Sequence, residues 1–169
     1  MPSLPVPTVE HRHRARATRP ERLTGVPLVA MRFHGAYPRV PGHWQRFASQ
    51  LRDLGFDLSA AQAVGILYDD PAFTPEHRIR YDCCVVDPGF PAHRLRGALR
   101  HEIMRPGEYA QLDVAGAYPV VAEGMFSIAS LWLPQARRTP AASPAYEIHR
   151  RPPWNDQGLF EVTVLMALR

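Results

Sequence analysis

The sequence has no lysine, only two cysteines and no apolar run long enough to cross a bilayer. All of its basic residues are therefore arginine, and the formal charge of +4 is modest for a chain of 169 residues. The first residues, "MPSLPVPTVE", lack the basic segment and apolar stretch of a secretory signal peptide. These absences exclude a transmembrane protein and a disulfide-rich scaffold, and they predict a cytoplasmic protein that binds no membrane.

The two cysteines, Cys83 and Cys84, are adjacent in the sequence. Neighbouring residues of a strand project to opposite faces, so these thiols are poorly placed to bridge each other. We expect both to be reduced packing residues. The sequence also lacks a nucleophile motif, a cluster of metal ligands and a phosphate-binding loop, so neither a cofactor nor a metal is expected.

Basic residues are densest in "HRHRARATRPER" at 11–22. Arg12, Arg14 and Arg16 alternate with histidine or alanine, and a period of two predicts a strand whose arginines lie on a solvated face. Clustered arginines also favour nucleic acid, but no aromatic residues are interleaved with them, so direct nucleic-acid binding is not expected. His11 and His13 have no third ligand nearby and are a weak signal for a metal site.

The tetrapeptide Gly-Ala-Tyr-Pro occurs twice, in "HGAYPRV" at 34–40 and in "AGAYPVV" at 115–121, 81 residues later. Displacing the chain by 81 positions also aligns the apolar alternation before each copy and the helical spacing after it. The displacement places "GILYDDP" at 65–71 on "YEIHRRP" at 146–152 without a gap. We interpret this match as a tandem duplication of a unit of about 80 residues, at about 8–88 and 89–169.

Each unit predicts the order strand, strand, helix, strand, strand. In the first unit these elements are expected at 9–17, 26–34, 41–54, 63–68 and 78–86. The second runs from about 98 to 169, with a helix at 119–133 that Pro134 ends. Two such units predict an α+β fold with pseudo-two-fold symmetry, antiparallel sheets, one main helix in each half and a central ligand groove.

Taken together, "GAYP", "YDDP", "RYDCCV", "RPGEYAQLDVAGAY" and "SPAYEIH" resemble the GyrI-like small-molecule-binding domain, over about 8–168. The same domain is the effector-binding module of AraC-type and MerR-type transcription regulators. Those relatives carry a helix-turn-helix domain ahead of the module. Here fewer than ten residues precede it, so we expect a stand-alone, single domain without a DNA-binding domain.

The resemblance implies a sheet that binds lipophilic, often cationic, small molecules among aromatic side chains, with Glu147 of "AYEIH" as the polar anchor. Many relatives have a tyrosine two positions later, where this chain has His149. The expected partner is therefore a lipophilic or cationic aromatic small molecule, and no oligomeric state is predicted. Two alternatives stay open: hydrolysis of the cyclopropane ring of DNA-alkylating antibiotics, and inhibition of DNA gyrase through direct interaction.

The repeat also singles out Glu147, because its counterpart under the 81-residue displacement is Ile66. Burying an unpaired carboxylate costs several kcal/mol, so its presence in one copy alone suggests a function. Alternation along the strands places Tyr68 on the face of Ile66 and His149 on the face of Glu147. We therefore expect Glu147, His149 and Tyr68 to gather near the symmetry axis.

Tyr81, Tyr109 and Trp132 are predicted to form walls of the site, although packing in the core is an alternative explanation for all three. If the protein is an enzyme, Glu147 is the expected base and Tyr109 the expected proton donor, with Tyr68 or His149 as alternatives. The full set of predicted binding residues is Glu147, His149, Tyr68, Tyr81, Tyr109 and Trp132.

Overall fold

The computed structural model describes residues 6–155 and 158–169, and these residues form an α+β fold built on one eight-stranded antiparallel sheet. This confirms the predicted fold class. The helices are α1 (Val9–Ala17), α2 (Val40–Asp53), α3 (Val120–Ser127) and α4 (Leu133–Ala136), with a π-helical turn, Ile128–Trp132, between the last two. The strands are β1 (Arg19–Leu23), β2 (Val26–His34), β3 (Ala63–Leu67), β4 (Arg80–Val86), β5 (Leu99–Met104), β6 (Gly107–Gly116), β7 (Ala145–His149) and β8 (Phe160–Ala167).

The order of the strands is β1-β6-β8-β7-β3-β4-β2-β5. Read inward from either edge, the strands are the first of one repeat and then the second, fourth and third of the other repeat. The first strand of each half pairs with the second strand of the other half, and β3 and β7 form the central pair. Val29 and Ala110, like Cys83 and Val164, are buried residues that lie 81 positions apart in corresponding strands. This arrangement supports the interpretation of the chain as a duplicated unit.

The central pair departs from the 81-residue displacement. Gly65 lies opposite Glu147, and Ile66 lies opposite Tyr146. Residues directly opposite each other share a face of the sheet, so the counterpart of Glu147 in the first repeat is Gly65, 82 positions earlier. The prediction that Ile66 is this counterpart is wrong. The π-helical turn Ile128–Trp132 precedes β7, and a π-turn accommodates one additional residue.

The helices all pack on one face of the sheet, which we call the helix face; the opposite side is the far face. The core on the helix face contains Trp44 and Phe47 of α2 together with Tyr81 of β4. The core on the far face contains residues such as Ile66 and Tyr146 and no helical residue among those described. The two free cysteines are divided between these cores, as predicted from the alternation of side chains along a strand.

The segment 9–17 is helix α1, so the predicted first strand is wrong. Thr8 caps the helix, and its side chain and that of His11 form a reciprocal capping box. His11 and Ala15 lie four residues apart and are both buried, while Arg12 and Arg16 are exposed. A helical period therefore orders this segment against α3, where His11 pairs with Glu123. The first strand of the half is instead β1.

The helix of the second half does not end at Pro134, as predicted, but continues to Ala136 in α4. Pro134 lies in the first turn of α4, directly after the π-helical turn Ile128–Trp132. Arg137, in the left-handed conformation with φ of 53°, ends the helix.

Among the described residues no helix is both long and apolar enough to span a membrane. The cytoplasmic location stays a prediction.

Candidate functional site

Glu147 lies in the middle of the central strand pair, on the helix face, and its side chain is fully buried. The residue opposite is Gly65, and a Cβ atom there would lie 2.1 Å from the Tyr81 hydroxyl and 2.8 Å from Glu147 Oε2. The absence of a side chain at Gly65 therefore provides the space in which this carboxylate meets Tyr81.

Two tyrosines donate hydrogen bonds to the carboxylate. The Tyr81 hydroxyl donates to Oε2 at 2.6 Å, and the Tyr118 hydroxyl donates to Oε1 at 2.7 Å. Burial, and then the charge of Glu147, raise the pKa of both tyrosines well above its ordinary value, so both stay protonated donors. Trp44 of α2 extends the network, because its indole N–H donates to the Tyr81 hydroxyl at 3.1 Å.

His149 lies two residues after Glu147 in β7 and projects to the same face. Its Nε2 atom is 3.3 Å from Glu147 Oε2, and its side chain is 1% exposed. The ring packs against Trp44, with centroids 4.9 Å apart, and against Phe160 at 6.1 Å. Neither ring nitrogen has a hydrogen-bond partner among the described residues.

This cluster has an unusual charge balance. Within residues 6–155 and 158–169, His149 is the only basic side chain that approaches Glu147 within ion-pair distance, and no arginine does. Neutral hydroxyls stabilise a buried carboxylate only in part, and a positive charge brought alongside it would stabilise it further. The same carboxylate is also placed to accept a proton.

Tyr68 and Tyr109 do not belong to this cluster, and the predicted positions of both are wrong. The Tyr68 hydroxyl donates to Asp82 on the far face at 2.6 Å. Tyr109 also lies in the far-face core, where its hydroxyl donates to the backbone oxygen of Arg105 at 2.6 Å and burial raises its pKa to about 12. Tyr68 was misplaced because Glu147 shares its face with Gly65 rather than with Ile66, and Tyr109 projects from β6 to the far face.

Asp82, which our sequence analysis did not select, is the second fully buried carboxylate of the sheet. Arg32 donates to both of its oxygens, at 2.9 and 3.1 Å, and Arg100 and Tyr68 donate to Oδ2. Burial on its own would raise the pKa of Asp82, but the bonds from Arg32, Tyr68 and Arg100 outweigh it and hold the pKa below its ordinary value. This carboxylate is therefore fully paired.

The structure thus brings together three of the predicted residues, Glu147, His149 and Tyr81. Trp132 is buried in the helix-face core, and its role as a wall of the site stays a prediction. Tyr118 was missed, although it is the tyrosine of the second "GAYP". The repeated tyrosine just before the helix was the available sequence signal. Tyr37, its counterpart in the first repeat, likewise donates a hydrogen bond to a neighbouring segment, at the backbone oxygen of Asp69.

A surface groove of about 530 Å³ lies away from this cluster. Its walls include Phe56, Ala61, Pro88 and Phe90, and neither Glu147 nor His149 lines it. The Glu147 cluster is itself buried, and the ligand groove expected near the symmetry axis stays a prediction.

Comparisons with known proteins place this geometry in a family. A family model of the GyrI-like small molecule binding domain matches residues 18–169, which includes every strand and leaves out α1. The chain therefore belongs to the GyrI-like family, as its motifs predict. No curated protein sequence matches the chain.

Several solved structures share the fold at low sequence identity. The C-terminal domain of EcmrR aligns with a TM-score of 0.71 and 11% identity, over 90% of this chain and 96% of that domain. The chain spans 62% of the length of EcmrR in its DNA complex. SAV2435 bound to tetraphenylphosphonium aligns with a TM-score of 0.55 and 13% identity, over 90% of this chain and 93% of that one. A hydrolase from Listeria innocua aligns with a TM-score of 0.59 and 8% identity, over 91% of this chain and 92% of that one.

Proposed function

We propose that this GyrI-like protein binds a lipophilic, cationic small molecule, with Glu147 as the anchor of the ligand's positive charge. The observation that carries the proposal is a fully buried carboxylate whose hydrogen bonds, among the described residues, come only from the neutral hydroxyls of Tyr81 and Tyr118. A buried charge is stabilised best by an opposite charge, and a ligand cation would supply it.

The surroundings of Glu147 suit such a ligand. Trp44, Tyr81, Tyr118 and Phe160 provide aromatic rings around the carboxylate and His149. Aromatic faces attract cations and flat apolar groups, at about 0.5–2 kcal/mol for each favourable contact. SAV2435, which has the same fold, is bound to tetraphenylphosphonium, a lipophilic cation.

Access to the carboxylate requires the helix face to open, because the side chains of Glu147 and His149 are buried. Helix α2 is the element that covers them, since its Trp44 packs on His149 and bonds Tyr81. Outward movement of α2 would break this bond, at about 1 kcal/mol, and would also expose apolar side chains such as Trp44 and Phe47 that are fully buried, so the ligand must supply the free energy of opening. We expect ligand binding to displace Trp44.

Isothermal titration calorimetry with tetraphenylphosphonium tests the proposal. We expect Glu147→Gln to weaken binding at least tenfold, which corresponds to about 1.4 kcal/mol, because the amide keeps the size but not the charge of the side chain. Glu102→Gln is the matched control, since Glu102 lies on β5 and its carboxylate pairs with Arg100. Equal affinities of the wild type and Glu147→Gln would refute the anchor role.

Hydrolysis of a strained ring is a second candidate, favoured by the contact of one carboxylate with two protonated tyrosines. Glu147 would accept a proton from water, and Tyr118 would donate to the developing anion. Mass spectrometry of a cyclopropane-containing alkylator incubated with the protein decides between the two roles. Turnover of the alkylator beyond one equivalent that is lost in Glu147→Gln indicates an enzyme. Protection of added DNA from alkylation that stops at one equivalent of alkylator indicates binding alone.

An interaction with DNA gyrase stays a prediction. The exposed arginines Arg12 and Arg16 of α1 are the basic surface that such a contact would use, and its binding would weaken steeply with salt.

A further inference from the structure

We infer that the ligand of this site is a protonated amine, and that the N–H group of the ligand lies between Glu147 and His149, both of which accept from it. The inference rests on the proposed function and adds the chemical class of the ligand. His149 would then be the residue that distinguishes a protonated amine, which has an N–H group, from a quaternary ammonium ion, which has none.

The first observation is the unsatisfied ring of His149. A neutral imidazole has one nitrogen that donates and one that accepts, and both of these are unpartnered within the described chain. Leaving such atoms unpaired in a protein interior is unfavourable, and native structures rarely do so without a functional reason. His43 is the other described histidine with an unpaired buried nitrogen, but its Nδ1 contacts Arg46, whereas His149 faces an acid.

The ring of His149 is also held in place. The side chain of Gln62 donates to its backbone oxygen at 2.6 Å, and Phe160 packs on the ring. A partner for the nitrogens must therefore come to the ring.

The second observation is the distance of 3.3 Å between His149 Nε2 and Glu147 Oε2. A single ammonium nitrogen can lie within hydrogen-bond distance of two acceptors this close together. The carboxylate would compensate its charge, and the imidazole would accept from the N–H through its unprotonated nitrogen. A quaternary cation has no N–H to offer and would leave the imidazole unpaired.

The third observation is that the polar pair is confined to one half of the chain. Gly65 and Glu147 lie opposite each other, and the 82-residue displacement between them makes Leu67 the counterpart of His149 in the repeat. The first half therefore has no polar side chain at either position, and the second half has both. The pair behaves as one feature, as expected if both residues bind the same group.

Two probes that differ only in the N–H group test the inference. We would titrate the protein with N,N-dimethylbenzylammonium and with benzyltrimethylammonium near neutral pH, and follow binding by NMR chemical shifts. The wild type should bind the tertiary ammonium about tenfold more tightly. His149→Phe should bind both probes equally, with the affinity of the quaternary probe retained. His149→Gln keeps a hydrogen-bonding side chain and should restore part of the preference.

The results separate this inference from the proposed function. If both probes bind the wild type equally and both weaken in Glu147→Gln, the anchor role stands and the inference about His149 is wrong. If neither affinity depends on Glu147, the proposed function is wrong. Should circular dichroism show that His149→Phe is unfolded, the wild-type preference and its change in His149→Gln decide the matter, and an absent preference overturns the inference.

Discussion

Two carboxylates are fully buried in this sheet, Glu147 on the helix face and Asp82 on the far face. Asp82 receives hydrogen bonds from Arg32, Arg100 and Tyr68, whereas Glu147 receives them from two tyrosines. Both therefore satisfy the requirement that a buried acceptor be hydrogen-bonded. They differ in charge, because arginines surround Asp82 and none approaches Glu147 within the described chain.

This difference shows how a structural carboxylate is distinguished from a candidate binding group. Burial is the same for both, so burial alone does not mark a site. The absence of an arginine partner in the described chain does, since a buried carboxylate approached only by neutral hydroxyls and one imidazole is stabilised less than one paired with arginines. The Glu147 cluster holds a carboxylate hydrogen-bonded by tyrosines, and the cluster around Asp82 holds a carboxylate paired with arginines.

The largest effect expected from this comparison is on stability. Asp82→Asn should lower the free energy of unfolding by about 1.5–3 kcal/mol, because Arg32 and Arg100, both about a third exposed, lose their charged acceptor. Glu147→Gln should lower it by less than about 1 kcal/mol, because the amide can keep hydrogen bonds with both tyrosines and no cation is left unpaired. Urea unfolding of the two variants measures this difference. Equal losses would mean that the two carboxylates are equivalent.

Lowering the pH should decrease the free energy of unfolding through protonation of His43, which is buried on the helix face. Burial, and then Arg46 and Arg39, lower the pKa of His43 from its ordinary 6.5 to about 4. The unfolded chain therefore binds a proton that the folded chain does not, so stability is complete above about pH 6.5 and decreases as the pH falls towards 4. The decrease should reach about 3 kcal/mol, since one pKa unit corresponds to about 1.4 kcal/mol.

Urea unfolding at a series of pH values checks the role of His43. The variant His43→Phe should lose this part of the pH dependence, and His34→Gln, which alters an exposed histidine, should keep it. A wild type and His43→Phe with parallel pH profiles would contradict the assignment.

Gly65→Ala tests the space that the first half leaves for Glu147. The new methyl group would lie 2.1 Å from the Tyr81 hydroxyl, so Tyr81 or the strand must move. Overpacking of this kind costs about 1–3 kcal/mol, and we expect ligand affinity to fall as well. Gly42→Ala is the control, because no atom lies within 4 Å of a Cβ there and alanine favours the helix. The account fails here if Gly65→Ala is as stable as the control and binds normally.

The two "GAYP" tyrosines offer the smallest and most closely matched comparison. Tyr118→Phe removes a hydrogen bond to the carboxylate of Glu147, and Tyr37→Phe removes one to the backbone oxygen of Asp69. We expect losses of about 2 and about 1 kcal/mol, because bonds to charged acceptors contribute more. Thermal unfolding measures both, and a larger loss for Tyr37→Phe would contradict this comparison.

Much of the fold was predictable where a long periodic segment lies between glycine and proline signals. Strand β2 has the predicted bounds, Val26–His34, and α2 begins one residue before its predicted start. Helix α1 was not predictable from alternation, because its arginine and alanine residues suit a helix as well as a strand. Contacts of His11 and Ala15 with the rest of the protein, together with the cap at Thr8, determine its structure.

The site was predictable in its residue types but not in its geometry. Glu147, His149 and Tyr81 lie together as expected. The one-residue difference between the repeats, at β3 and β7, changes which residues share a face, because a slip of one position reverses every side chain of a strand. A comparison of hydrophobic patterns tolerates such a slip, and it therefore placed Tyr68 on the wrong side and overlooked Gly65.

The most direct test of the central claim measures the coupling between the charge of the ligand and the charge of Glu147. Calorimetry would give the affinities of the wild type and Glu147→Gln for benzyltrimethylammonium and for its uncharged carbon analogue, neopentylbenzene. We predict that the wild type prefers the cation at least tenfold more strongly than Glu147→Gln does, with the neutral compound bound similarly by both. The same cation preference in both proteins would contradict the account.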